Sequence, residues 1–233
     1  MKKLISIFLI GMTVSVTAQT SQETQYAAYL KASKTMWERS ISIAEKESGD
    51  NSLDKAIAMY GLLSNTMATE DEDTFDEYID PAVDLLKEIM DKSPDNGEAR
   101  AVLSSIYGLV MAYSPMKGVL YGMKSSSLMD EALRLEPESA LVQKLHGGSK
   151  LYTPEMFGGD PDKAVIAFEK SIELFEREGV SERWLYADTF MGLAMAYNKV
   201  GKKDEAKKTL EKAIAMEPEF YWAKSVLAEL EKS

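Results

Sequence analysis

From Thr20 to the end of the chain, apolar residues return every three or four positions, and no sustained alternation of β-branched residues interrupts them. That period predicts helices throughout. Alanine, leucine, glutamate, lysine and methionine fill the periodic stretches, and prolines fall between them. Turn-forming clusters break the pattern near 48–52, 68–73, 93–97, 113–118, 136–139, 153–161, 176–181, 200–204 and 217–220. The expected chain is all-α, with about ten helices joined by short turns, each antiparallel to the next.

A run of helical pairs directs attention to internal repeats. Residues 187–218 read ADTFMGLAMAYNKVGKKDEAKKTLEKAIAMEP. Phe190, Leu193 and Tyr197 share one face of the first helix, while Ala194 and Ala206 are small enough to let two helices approach closely. Gly201 is placed to end the first helix, and Pro218 to start the next segment. With Ala187 as position 1, these residues and Leu210 and Ala213 fall where the tetratricopeptide repeat places its large and small residues. The stretch resembles that repeat over its whole core. The resemblance implies a right-handed superhelix of antiparallel helix pairs whose concave face takes a protein or peptide.

Upstream the phase persists with fewer matches. SPDNGEARAVLSSIY (93–107) looks like the opening of a repeat, with Pro94 ahead of Gly97, Arg100, Leu103, Ser104 and Tyr107. MDEALRLEP (129–137) and DKAVIAFEKSIELF (162–175) resemble second helices through Met129, Ala132 and Pro137, then Ala164, Phe168 and Ser171. The likeness holds repeat by repeat over 95–233, with the last helix as a solvating cap in which Tyr221 or Trp222 packs inward. Over 19–94 it holds only as N-terminal helical pairs with degenerate repeats.

Two repeats are stretched. Their insertions, AYSPMKGVLYG and YTPEMFGGD, add nine and five residues to the turn between first and second helices. Insertions of that kind map to one face of a solenoid, often the binding face. Ser125, the run Ala132 to Pro137, Pro154, Gly158-Gly159-Asp160 and Lys163-Ala164 together resemble a narrower subgroup, which includes the T component of tripartite ATP-independent periplasmic transporters. That likeness implies the alternative reading, a small-molecule-binding component assisting a periplasmic transporter. The glycines of FGGDPDKA invite a phosphate reading, but the P-loop spacing is absent. Asp160 as N-cap, Pro161 as first helical residue and Asp162 in the first turn describe a capped corner that repels anions. Gly158 and Gly159 are expected to serve backbone geometry, with Met156 and Phe157 packing the corner or edging the groove.

The N-terminus carries a different signal. MKKLISIFLIGMTVSVTAQT has a basic start, an apolar run from Leu4 to about Val16, and Val16 and Ala18 as the V-x-A of a cleavage site. Residues 1–18 are therefore expected to be a signal peptide cleaved before Gln19, with the mature chain exported to the periplasm and not inserted in a membrane. The formal net charge is -11, which disfavours nucleic acid as a partner. No cysteine is present, so disulfides, thiolate metal sites and cysteine nucleophiles are excluded.

Catalytic chemistry finds little purchase. His146 is the one histidine and falls where the repeat places a leucine, so it is expected to be packed. Ser149 follows it without a nucleophile-elbow pattern. EDEDTFDEYID (70–80) lacks the glycine and ligand alternation of a calcium loop, and reads as a solvated connector with Asp73 or Thr74 capping the next helix. No catalytic, cofactor-binding or metal-binding residue is assigned, and no enzyme is expected. Carrying the family's groove over by position selects Asp188, Met191, Met195, Asn198 and Lys199 in the last full repeat, and Leu141, Lys144, Leu151 and Tyr152 in the one before. The clamp that some such proteins use for a carboxylate terminus is not there: its key position reads Ser105, Gly148 and Met195. The expected partner is a helix or extended segment with apolar anchors.

Overall fold

The computed structural model describes residues 19–47, 49–179 and 183–232; the expected signal peptide lies outside them. Eleven α-helices follow one another among the described residues, with no strand. They are α1 (Ser21–Lys31), α2 (Lys34–Ala44), α3 (Ser52–Thr69), α4 (Glu72–Lys92), α5 (Gly97–Tyr113) and α6 (Gly118–Leu135). After them come α7 (Ala140–Tyr152), α8 (Pro161–Glu178), α9 (Trp184–Lys199), α10 (Lys203–Met216) and α11 (Tyr221–Lys232). Single 3-10 turns at Pro115–Lys117 and Glu155–Phe157 occupy the two stretched connections.

Each pair packs as a hairpin, α3 with α4, α5 with α6, α7 with α8 and α9 with α10. The first members also pack on one another, α3 on α5, α5 on α7 and α7 on α9, so they form an inner row backed by the second members. Small residues allow this closeness. A methyl group added to Gly147 of α7 or Gly192 of α9 would lie 2.8 or 2.5 Å from the ring of Phe168, so α7 and α9 both press against one aromatic of α8. One apolar cluster runs from Ala28 to Leu185 and a second from Leu151 to Leu230.

Helix α1 is the element that the repeat pattern did not place. It packs against α2 and α3, and also against α9, so the inner row bends round until α1 closes it. The seam is aromatic and hydrogen-bonded. The Tyr29 ring lies 5.5 Å from Trp184 and 5.6 Å from Phe220, and Trp37 meets Trp184 edge to face at 5.2 Å. The Trp184 indole donates to Gln25 at 3.0 Å.

Three local expectations are corrected. The acidic run 70–80 is no connector: it forms the first turns of α4, capped by Asp71, whose carboxylate accepts from the Thr74 backbone N–H. Phe75, Ala82, Leu86 and Ile89 recur at helical spacing and are buried, while Pro81 sits on the exposed side of the same helix. At the C-terminus Phe220 packs inward and Tyr221 is exposed, because α11 starts one residue after the inward-turning aromatic. Met156 and Phe157 do not pack the corner; they are 82% and 73% exposed. The corner itself is held by backbone. Gly158 has φ +96°, Asp160 N–H donates to the Lys150 carbonyl at 2.9 Å, and a methyl on Gly159 would lie 1.8 Å from the Thr153 carbonyl oxygen. Asp160 caps α8 and Pro161 opens it.

Candidate functional site

Helix α1 runs alongside α9 in the same direction, since Gln25 meets Trp184 and Tyr29 meets Asp188. It has 11 residues against 16 in α9. With Tyr29 opposite Asp188, Lys31 lies opposite Phe190, so at about 1.5 Å per residue α1 stops roughly 13 Å short of the end of α9 at Lys199. Ala32 then takes a left-handed conformation and turns the chain into α2. The concave face is consequently closed where α7 and α9 begin and open where they end.

That division sorts the sequence-selected groove residues. Leu141, Lys144, Leu151 and Met191 are buried, Met191 completely at 0% exposure. Their assignment to an accessible groove is corrected: the inner row curls tightly enough to turn these positions into the interior. Asp188 and Met195 are half-buried, and Tyr152, Asn198 and Lys199 are exposed. The structure brings Tyr152 and Met195 together, the Tyr152 hydroxyl donating to the Met195 sulfur at 3.5 Å. The Lys199 ammonium donates to the Leu151 carbonyl at 3.0 Å, tying the end of α9 to the end of α7.

Lys144 and Asp188 do not face a ligand; they face each other. Their charged atoms are 2.7 Å apart, Tyr29 donates its hydroxyl to Asp188 at 2.9 Å, and the ammonium lies 5.4 Å from the rings of both Tyr60 and Trp184. Burial by itself would lower the Lys144 pKa, but the Asp188 carboxylate outweighs it and the pKa stays above the ordinary lysine value. Burial, with the same carboxylate, raises the Tyr29 phenol and keeps it protonated. This cluster joins α1, α3, α7 and α9 at the centre of the ring.

At the open end large apolar side chains are exposed beside Asn198 and Lys199. The first members of the hairpins end on this edge, so both stretched turns lie along it. Met116 is 93% exposed and Tyr152 64%, and Leu120 and Met123 are exposed with Met156 and Phe157. Of these residues, the sequence selects Tyr152 and places Met156 and Phe157 as packing the corner or edging the groove; it does not select Met116, Leu120 or Met123. Single exposed apolar side chains are ordinary, and these six lie in and beside the two stretched turns. His146 is half-buried on α7, and burial, then Lys150, lowers its pKa. Among the described residues no group of three or more His, Asp or Glu is placed to hold a metal, and no helix is long and apolar enough to cross a membrane.

The fold is a helical-repeat superhelix. A tetratricopeptide repeat model matches residues 187–220, and the chain has the tetratricopeptide-repeat fold. It is similar over 91% of its length to a tetratricopeptide-repeat protein of Thermus thermophilus, TTC0263, which it covers by 98%, with 19% identity and a TM-score of 0.58. It is also similar to the HusA haemophore of Porphyromonas gingivalis, with 20% identity and a TM-score of 0.58, over 76% of this chain and 92% of that one. No curated protein matches the sequence.

Proposed function

We propose that the protein is an exported, non-catalytic interaction module that holds a protein segment with apolar anchors at the open mouth of its superhelix. The observation that carries this reading is the exposure of Met116, Leu120, Met123, Tyr152, Met156 and Phe157 in and beside the two stretched turns, with Tyr152 bonded to Met195 of the inner row. Unbranched thioether side chains adapt to irregular apolar partners, and a methionine-rich edge suits a helix whose anchors vary. Export to the periplasm is the reading that the N-terminal leader pattern supports. The test is cross-linking in the native envelope with wild type and a Met116→Glu/Phe157→Glu variant. Loss of one wild-type cross-linked partner in the variant is expected; the same partners at the same yield would overturn the rim assignment.

A second reading has one observation behind it. HusA is a haemophore, and a rim of methionines with Phe157 and Tyr152 offers flat apolar contact and thioether ligands of the kind a haem can use. Titration with haemin separates the readings: a saturable Soret shift that the double variant loses would favour the small ligand over the protein segment.

A further inference from the structure

Helix α11 is the one helix without a hairpin partner among the described residues. It packs on α10, and of its 12 residues Ala223 and Leu230 are the buried ones. A terminal helix of a repeat array stays soluble when its outer side is polar. Here the first turn breaks that rule, since Tyr221 is 68% exposed and Trp222 45%. Trp222 leans on the Tyr29 ring at 6.3 Å, and Tyr221 stands clear of the core with the Lys224 ammonium 5.6 Å from its ring.

The rest of the outer side has a definite pattern. At about 3.6 residues per turn, the side opposite Ala223 and Leu230 centres on Tyr221, Ser225, Ala228 and Lys232, all exposed. Lys224 and Glu231 lie along one flank of that stripe, and Trp222 and Glu229 along the other. The stripe begins with an aromatic ring, passes through two small residues and ends with a cation.

Such a face matches itself when turned end for end. A two-fold axis beside the middle of α11, between Val226 and Leu227, sets Tyr221 opposite Lys232 of a second copy, a cation against a ring. It sets Ser225 opposite Ala228, and small residues at the crossing let helix axes approach to about 8 Å. Each flank then meets the same flank of the other copy. Lys224 lies about 3 Å along the axis from Glu231 of the second copy, and Trp222 equally close to its Glu229. Symmetry doubles both contacts. A parallel pair would set Lys232 against Lys232 and Tyr221 against Tyr221, so the charge pattern selects the antiparallel arrangement.

We propose that the outer face of α11 is a self-association surface, on which a second copy of this chain packs its own α11 antiparallel to form a closed dimer. The second copy supplies the antiparallel neighbour that α11 lacks. Because α11 runs in the direction of α9, the pairing points the two mouths in opposite directions. Two helices of 12 residues bury less than the roughly 1,200–2,000 Å² of a standard stable interface, so the dimer is concentration-dependent. The contact does not rest on the reading of the mouth.

The experiment is sedimentation equilibrium of the chain from Gln19 to Ser233 between about 5 and 500 µM. Wild type should pass from monomer to dimer and stop there, because a two-fold contact closes at two. Ala228→Arg, at the centre, should weaken dimerisation at least about tenfold, and Ser225→Arg stands in if circular dichroism shows that variant unfolded. Lys224→Glu and Glu231→Lys should each weaken it about tenfold, since either one sets two like-charged pairs across the axis. An equimolar mixture of those two variants should dimerise as wild type does, because their heterodimer contains only opposite charges. Met116→Glu/Phe157→Glu should dimerise as wild type does, which keeps the two surfaces apart. A monomer at the highest concentration overturns the proposal and makes the face a solvated cap. So does a dimer that the arginine variants leave unchanged, growth into larger species, or a mixture of the charge variants that associates no better than either alone. Loss of the dimer in Met116→Glu/Phe157→Glu would place the contact at the mouth and overturn it equally.

Discussion

The two edges of the ring are built from the ends of the same helices and behave oppositely. At the closed edge α1 lies against α3 and α9, and the polar groups in the centre are inside: Lys144, Asp188 and the Tyr29 hydroxyl satisfy one another beneath Tyr60 and Trp184. At the open edge apolar side chains are outside, Met116 and Met156 among them. The difference comes from length. A closing helix of 11 residues covers only part of a row whose members have 13 to 18 residues. Substitution should accordingly cost folding at one edge and binding at the other.

The largest effect is expected at the centre. Asp188→Ala leaves the Lys144 ammonium buried against two aromatic rings with no carboxylate, a loss of about 3–5 kcal/mol. For a chain of this size that lowers the melting temperature by roughly 10 °C, at about 2–4 °C per kcal/mol. Thermal unfolding followed by circular dichroism measures it. A Lys144→Met/Asp188→Leu double variant should recover most of the loss, because it removes both charges together. If the double variant is as unstable as the single one, the cluster holds α1 through specific bonds and not through charge neutrality.

Next comes the corner of the stretched turn. Gly159→Ala drives a methyl into the Thr153 carbonyl, and a contact of 1.8 Å requires the backbone to move. We expect a loss of about 2 kcal/mol or more in urea unfolding. Gly158→Ala is the control. It meets nothing within 4 Å and suffers only from φ +96°, so it should cost about 1 kcal/mol. Equal costs would mean the corner is limited by conformation alone.

The contrast between the edges also explains what was readable in the chain. The repeat at 187–218 was legible because its contacts are local: Phe190, Leu193 and Ala194 meet Ala206 and Leu210 within one hairpin. The capped corner was legible for the same reason, since Asp160 bonds to a neighbour three residues on. Docking of α1 was not, because Tyr29 and Asp188 are 159 residues apart and no spacing links them. The groove assignment failed at Leu141, Lys144, Leu151 and Met191 because it assumed the curvature of an average superhelix. Curvature is set by how successive inner helices pack, and a single repeat does not contain it. In α4 the period through Phe75, Ala82, Leu86 and Ile89 was present, but the carboxylates of 70–80 were read as a solvated connector. A proline on the exposed side of a helix loses one backbone bond to solvent and does not stop it.

At the rim the expected cost to folding is small. Met116→Glu/Phe157→Glu replaces two exposed side chains that support no neighbour, so its unfolding free energy should stay within about 0.5 kcal/mol of wild type while partner recovery falls. A destabilised variant would place these residues in the packing of the turns and return the rim to a structural role.

The smallest effect concerns pH and lies between the edges, at His146. Burial lowers its pKa in the folded chain below the ordinary 6.5. As pH falls through 6.5 the unfolded chain takes up the proton first, so the unfolded state binds more protons than the native one. The His146 contribution is therefore complete above 6.5 and is lost as pH falls towards the folded value. Glu98 acts in the opposite sense. Its raised pKa means that the native state holds a proton longer, so its contribution is regained as pH falls towards the ordinary carboxylate range. The two partly cancel in wild type, and the slope of stability against pH by itself decides nothing. A His146→Gln variant separates them. Between pH 6.5 and 5 its melting temperature should fall less than that of wild type, or rise. Parallel slopes in the two proteins would show that the imidazole takes a proton as readily on α7 as in the unfolded chain, and that α7 is open to water at that turn.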